Sequence, residues 1–145
     1  MTLAPTLVRP AAAGDLLAVT ALARALATAS EVTDDAASAI LGTLVEDPRA
    51  LLAVAEDDAG VVVGYVLAHR HLAFHADGWV VWVEEVVVDA DARRRGTGRA
   101  LLDRVEAWAA EHGATHVALA SRRAGPFYVA LGYEDSAVYY KKPQR

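Results

Sequence analysis

The sequence contains no cysteine. Disulfides, thiolate metal ligands and a cysteine nucleophile are therefore excluded, while the compartment stays formally open and the cytoplasm is the default expectation. No apolar run approaches the ~18–20 residues needed to cross a bilayer, so no transmembrane segment or membrane partner is expected. Met1-Thr2-Leu3-Ala4-Pro5 has neither the basic start nor the apolar core of a secretion signal. Positive charge is in short supply too: 14 Lys and Arg stand against 19 Asp and Glu, a formal net charge of −5. That balance argues against a dedicated nucleic-acid binder. Two familiar phosphate-loop signatures, G-x-x-x-x-G-K-[ST] and G-x-G-x-x-G, are missing as well.

What is present suits one folded domain over 1–145. The hydrophobic fraction of 54% excludes a disordered chain, and 145 residues are enough for a real core. Residues 6–9 read as a short strand ended by Pro10. Ala13-Gly14-Asp15 opens a helix whose apolar face is Leu16, Val19, Leu22, Ala23 and Leu26. Thr33 is a plausible N-cap for a second helix, with Asp34 and Asp35 in its first turn and Ile40, Leu41, Leu44 and Val45 as its stripe. Strands follow at 51–55 and 61–71, joined by the turn Glu56-Asp57-Asp58-Ala59-Gly60. A third long strand, 80–88, is apolar apart from Glu84 and Glu85 and reads as buried on both faces. A helix with Leu101, Leu102, Val105, Trp108 and Ala109 comes next, closed by Gly113. A strand at 115–120, a short helix at 127–131 behind Pro126, and a last strand at 136–141 complete the order β-α-α-β-β-β-α-β-α-β, a mixed α/β (α+β) domain.

The chemistry concentrates in 83–98. A strand runs into Arg93-Arg94-Arg95-Gly96-Thr97-Gly98 and then directly into a helix. The first amides of a helix lack partners, its dipole favours negative charge there, and glycines let the backbone come close. Arginines add charge-assisted hydrogen bonds suited to phosphate. Further basic residues cluster at Arg99, Arg122, Arg123, Lys141 and Lys142. An acidic protein with a local basic patch fits a small polyanion better than a long one. The plain alternative is an exposed basic turn with a helix cap.

Arg93, Gly96 and Gly98 fit the pattern [QR]-x-x-G-x-[GA]. A second block fits N-x-x-A-x-x-x-Y-x-x-x-G-[FY] at Ala124, Tyr128, Gly132 and Tyr133, with Ser121 where Asn is usual. In this order, a helix and a strand apart, the two blocks resemble the GNAT superfamily of acetyl-CoA-dependent N-acetyltransferases, and the likeness covers nearly the whole chain. The resemblance implies a mostly antiparallel twisted sheet whose fourth and fifth strands splay apart, with acetyl-CoA in the cleft. It implies that the backbone of Val86, Val87 and Val88 binds the pantetheine arm. It further implies that Arg93, Arg94, Arg95, Gly96, Thr97, Gly98 and Arg99 hold the phosphates, with Ser121, Ala124 and Tyr128 as further cofactor contacts. Ser121 in place of Asn weakens one of these.

Acetyl transfer to an amine needs a neutral amine, a stabilised oxyanion and a proton for the departing thiolate. Tyr128 is the candidate donor, because a phenol with an ordinary pKa of ~10 stays protonated at neutral pH. The bland alternative is an aromatic packed on its helix. Glu84 is the candidate base, on regular alternation sharing a face with Trp82, Val86 and Val88. Glu85, Trp82, Trp79 and Glu31 are candidate contacts to the acceptor. Against this, both carboxylates could be salt-bridged to His69 or Arg70. His69, His71 and His75 lack a completing carboxylate or Cys, so no metal is expected. The acceptor is expected to be a small amine or amino-acid-like metabolite, with a protein N-terminus or lysine as the alternative. A homodimer is a further expectation. Two other classes compete: a module that binds acyl-CoA without turnover, and a nucleic-acid-binding domain using the arginine cluster.

Overall fold

The computed structural model describes residues 7–27 and 31–144. Five strands form one sheet in the order β1-β2-β3-β4-β5: β1 (Leu7–Pro10), β2 (Ala50–Glu56), β3 (Val62–Ala73), β4 (Gly78–Val88) and β5 (Val117–Leu119). The first four are antiparallel, and β5 runs parallel to β4. Four helices accompany it: α1 (Leu16–Leu26), α2 (Asp34–Leu44), α3 (Thr97–Glu111) and α4 (Gly125–Ala130).

The apolar pattern of each strand sorts its side chains to two layers. On one face α3 lays Leu101, Leu102, Val105, Trp108 and Ala109 against Leu51, Ala53, Ala55, Val66, Ala68, Val81 and Val83. On the other, Leu22 of α1 and Leu41 of α2 cover Leu52, Val54, Tyr65, Leu67 and Val87. Each buried Leu or Val contributes roughly 1.5–3 kcal/mol, so these two layers hold the sheet between the helices. At the sheet's other edge, Arg9 ties β1 down. It donates to both oxygens of buried Asp15 at 2.9 Å and to Glu56 at 2.6 Å.

The local signals account for most boundaries. Thr33 Oγ1 accepts from the Ala36 amide at 3.2 Å and starts α2. Gly113, at φ 68°, closes α3 in the left-handed region that glycine enters freely. Pro126 stands in the first turn of α4, where its missing N–H is harmless.

Three expectations need correction. Residues 136–141 form no strand. Their alternation is suitable, but Val138, Tyr139 and Tyr140 are all exposed, so no apolar face is buried to hold a strand in register. Only Tyr139 finds a partner, stacking on Trp82 with ring centroids 6.3 Å apart. The expected stripe of α2 is narrower than its sequence, because a single layer of helix covers this end of the sheet: Leu41 is buried while Ile40 and Val45 are exposed. Leu26, likewise, is exposed at the end of α1.

The third correction concerns β4. Leu67 pairs with Glu85 while Ala68 pairs with Val83, so Glu84 is an extra residue, a β-bulge. Regular alternation fails across it. Val81, Val83, Val86 and Val88 all pack towards α3, and Val87 packs towards α1 and α2. Glu84 does not share a face with Val86 and Val88.

Candidate active site

The parallel pairing of β5 with β4 covers only Val81, Trp82 and Val83, whereas β4 continues to Val88. Among the described residues nothing pairs with 84–88 on the β5 side. The strands therefore part at Val83, and a stretch of strand edge stays open to hydrogen-bond an extended ligand. The bulge falls at the same point. Two features of one strand thus meet where a cleft begins.

Both carboxylates sit at this mouth, each held by an aromatic donor. The exposed Glu84 side chain accepts from Trp82 Nε1 at 3.1 Å. Glu85, half-buried, accepts from the Tyr65 hydroxyl at 2.5 Å. Neither is paired with His69 or Arg70 among the described residues; Arg70 instead lies over the Trp79 ring, 4.7 Å from its centroid. Burial, and then the hydrogen bond to Glu85, push the Tyr65 hydroxyl far above its ordinary pKa, so it donates throughout the accessible pH range.

Beyond β4, Asp89 Oδ1 accepts from the Asp91 amide and turns the chain into the arginine loop. Arg93, Arg94 and Arg95 are exposed. Arg94 has φ 67° and Gly96 φ 82°, so the loop coils tightly before α3 begins at Thr97. Ala100 is the first residue of α3 whose amide has an acceptor among the described residues, the Gly96 carbonyl at 2.9 Å. Among the described residues the amides of Thr97, Gly98 and Arg99 have no backbone acceptor, and the exposed Arg93, Arg94 and Arg95 directly precede them in the chain. This is the geometry that binds phosphate oxygens.

The chain that closes the site is α4. Ser121 Oγ accepts from the Ala124 amide at 3.0 Å, so this hydroxyl shapes the turn into the helix. The Ala124 carbonyl in turn accepts from the Tyr128 amide. Tyr128, like Val86, Val88, Leu119 and Leu131, packs against the core cluster on the α3 face of the sheet, in edge contact with Phe127 and Tyr133. Burial raises its pKa above the ordinary 10, which keeps the phenol protonated. Its hydroxyl has no hydrogen-bond partner among the described residues. Phe127 was not singled out by its sequence context, yet its ring lies over Gly98: a Cβ at Gly98 would stand 3.3 Å from Phe127 Cζ. Only the contact between α3 and α4 reveals it.

The remaining candidates are more scattered. Trp82 carries Tyr139 and Glu84 together, as described, whereas Trp79 is occupied by Arg70. Glu31 lines a shallow hollow of about 390 Å³ with Arg24, Ala27 and Val32. His75 stands 6.2 Å from His116, centroid to centroid. Among the described residues, no three His, Asp or Glu side chains gather into a metal-binding set. No described helix is long and apolar enough to cross a membrane.

Known proteins share this fold. The structure is similar to glucosamine-6-phosphate N-acetyltransferase from Arabidopsis thaliana, with TM-score 0.86 and 18% identity over 98% of this chain and 100% of that one. It is similar to an acetyltransferase of Trypanosoma brucei, with TM-score 0.81 and 23% identity over 96% and 99%. It is also similar to the aminoglycoside N-acetyltransferase AAC(6')-Iy in complex with CoA, with TM-score 0.80 and 22% identity over 95% of each chain. At these identities the likeness establishes the fold. No curated protein matches the sequence significantly. The model of the acetyltransferase (GNAT) family matches residues 17–133, which include the arginine loop, both carboxylates and Tyr128, and the chain is a member of that acetyltransferase family.

Proposed function

We propose that this protein transfers the acetyl group of acetyl-CoA to the primary amine of a small or amino-acid-like acceptor, by direct attack in a ternary complex. The observation that carries the reading is the parting of β4 and β5 at Val83, with the free amides of α3 beyond the end of that same open strand. An extended polyanionic donor fits such a cleft. Residues 1–145 act as one domain in this reading, in the cytoplasm, and a homodimer is the expected assembly, decided by analytical ultracentrifugation.

Acetyl-CoA supplies the activated thioester. The amides of Thr97, Gly98 and Arg99 hold its pyrophosphate, assisted by Arg93, Arg94 and Arg95, with Gly96 leaving the approach open. The backbone of Val86, Val87 and Val88 binds the pantetheine arm as an added strand would. Ser121 and Ala124 set the entrance of α4 against the donor. Glu84, exposed at the bulge, takes the proton from the acceptor ammonium directly or through water. As the amine forms its bond to the carbonyl carbon and the C–S bond breaks, the Tyr128 hydroxyl gives its proton to the sulfur, and the proton that the new amide nitrogen sheds passes through water to restore the phenol. Glu85 and Trp82 receive the acceptor, with Trp79 and Glu31 at its margins. The acidic character of this mouth favours a cationic acceptor, and two of the structurally similar proteins are named as a glucosamine-6-phosphate and an aminoglycoside N-acetyltransferase.

Calorimetry with acetyl-CoA on the wild type and on Gly96→Glu tests the donor site. Micromolar binding that disappears in the variant supports the reading, and a screen for amine-dependent CoA release then follows. A folded wild type that binds no acetyl-CoA would overturn it. Binding that survives in Tyr128→Phe, without acetyl product from any amine, would favour a non-catalytic acyl-CoA module.

A further inference from the structure

The carboxylate pair is not symmetric, and the asymmetry singles out a residue that carries no motif. Tyr65 is 1% exposed and belongs to one buried cluster with Leu22, Leu41, Leu52, Val54, Leu67 and Val87, all apolar. A phenol in such surroundings needs a partner for its hydroxyl. The partner it has is Glu85, on the next strand and diagonally across the ladder, since Tyr65 pairs with Val87 and Leu67 with Glu85.

This bond exists because of the bulge. With unbroken alternation, Glu85 would lie with Val81 and Val83 on the α3 face. The extra residue at Glu84 turns Glu85 onto the face of Tyr65, one step past the point where β5 leaves β4. A carboxylate at the cleft mouth is thereby fixed by a donor that cannot move, because its ring is packed on every side.

We propose that Tyr65 is a positioning residue that holds the Glu85 carboxylate where it receives the ammonium of the acceptor. The inference rests on the acetyl-transfer reading and adds to it a division of labour between neighbours. Glu84, exposed and bonded among the described residues only to an indole N–H, exchanges protons, whereas Glu85 anchors charge. A bonded, half-buried carboxylate presents its second oxygen in a single direction, which suits orientation of a primary ammonium.

The test is a double-mutant cycle read in steady-state kinetics. Acetyl-CoA is the donor, and 1,4-diaminobutane, kanamycin and glucosamine 6-phosphate are the probe amines. Tyr65→Phe keeps the packed ring and removes only the donor. It should raise the KM for the amine about tenfold while kcat falls less and the Kd for acetyl-CoA is unchanged. Glu85→Gln should raise the amine KM at least as much. The Tyr65→Phe/Glu85→Gln protein should be no worse than Glu85→Gln alone, because Tyr65 acts through Glu85. Additive effects, or a lowered Tm in Tyr65→Phe with an unchanged amine KM, would reduce Tyr65 to a packing residue and overturn the proposal. So would a wild type that binds acetyl-CoA yet turns over none of the three amines. Absence of acetyl-CoA binding in the wild type is a separate result, measured beforehand, and strikes the acetyltransferase reading itself.

Discussion

Gly64 lies under the carbonyl of Val87. A Cβ at this position would stand 2.8 Å from that oxygen, 3.3 Å from Leu101 Cδ1 and 3.5 Å from Thr97 Cγ2. The missing side chain lets the first turn of α3 settle against β3 and β4, which brings the helix amides near the open end of β4. Gly64→Ala must push backbone against backbone or lift the helix. It should destabilise the fold by about 1–3 kcal/mol, read as a lower urea midpoint with an unchanged m-value. Acetyl-CoA binding should weaken as well, since the helix that moves carries the phosphate site.

The two glycines of the arginine loop should behave differently from Gly64 and from each other. Gly96 has φ 82° with open space around it, so Gly96→Ala meets strain without a clash and should cost about 1 kcal/mol. Gly98 has ordinary helical geometry, and an added methyl there meets only the tip of the Phe127 ring, which has room to turn. Gly98→Ala should leave thermal stability within about 0.5 kcal/mol yet weaken acetyl-CoA binding, by placing carbon beside the free amides. Calorimetry and thermal unfolding on both variants separate the two effects.

These contrasts mark what the sequence makes legible. Thr33, Pro126 and Gly113 announce helix ends because capping depends on a few adjacent residues. Arg93-x-x-Gly96-x-Gly98 announces an anion site because a helix start and a glycine loop are both local. The bulge at Glu84 is different, since it exists only as a mismatch between β4 and the register of β3. Hence regular alternation places Glu84 on the face of Val86 and Val88, and no motif points to Tyr65. The alternation in 136–141 satisfies every local rule for a strand and still buries no face, since Val138, Tyr139 and Tyr140 all stay exposed. Phe127 over Gly98 is a contact between two helices that no spacing within either one encodes.

Acid stability should depend on Asp15. Its pKa is lowered, first by the hydrogen bonds from Arg9 and next, against the effect of burial, by the Ala12 amide. A carboxyl lowered in the folded state adds stability above its unfolded value, ordinarily about 3.9, and that stability fades as pH falls through the folded value. Asp15→Asn should therefore cost about 2 kcal/mol at pH 7. The gap to wild type should narrow steadily below pH 4, as urea midpoints taken across that range will show. A gap that is constant from pH 7 to pH 3 would mean the pair contributes through packing alone.

Tyr128 gives the sharpest kinetic prediction. Its pKa is raised by burial, so the donor form is complete at neutral pH and persists as pH rises through 10. Activity limited by this group should thus show no alkaline decline below about pH 10, where an unperturbed phenol would already be half ionised. Tyr128→Phe preserves the ring against Phe127 and Tyr133 and removes the proton. It should lower kcat by roughly 10²–10³-fold, within the usual range for loss of a general acid, and leave the Kd for acetyl-CoA within about twofold. The acid limb of the rate profile should stay in place, because the group that titrates there is not this one. Rates measured from pH 6 to 10.5 on both proteins check all three statements. An alkaline decline near pH 8 in the wild type that vanishes in the variant would instead show the Tyr128 phenol losing its proton well below 10, in the sense opposite to burial, and would overturn this prediction.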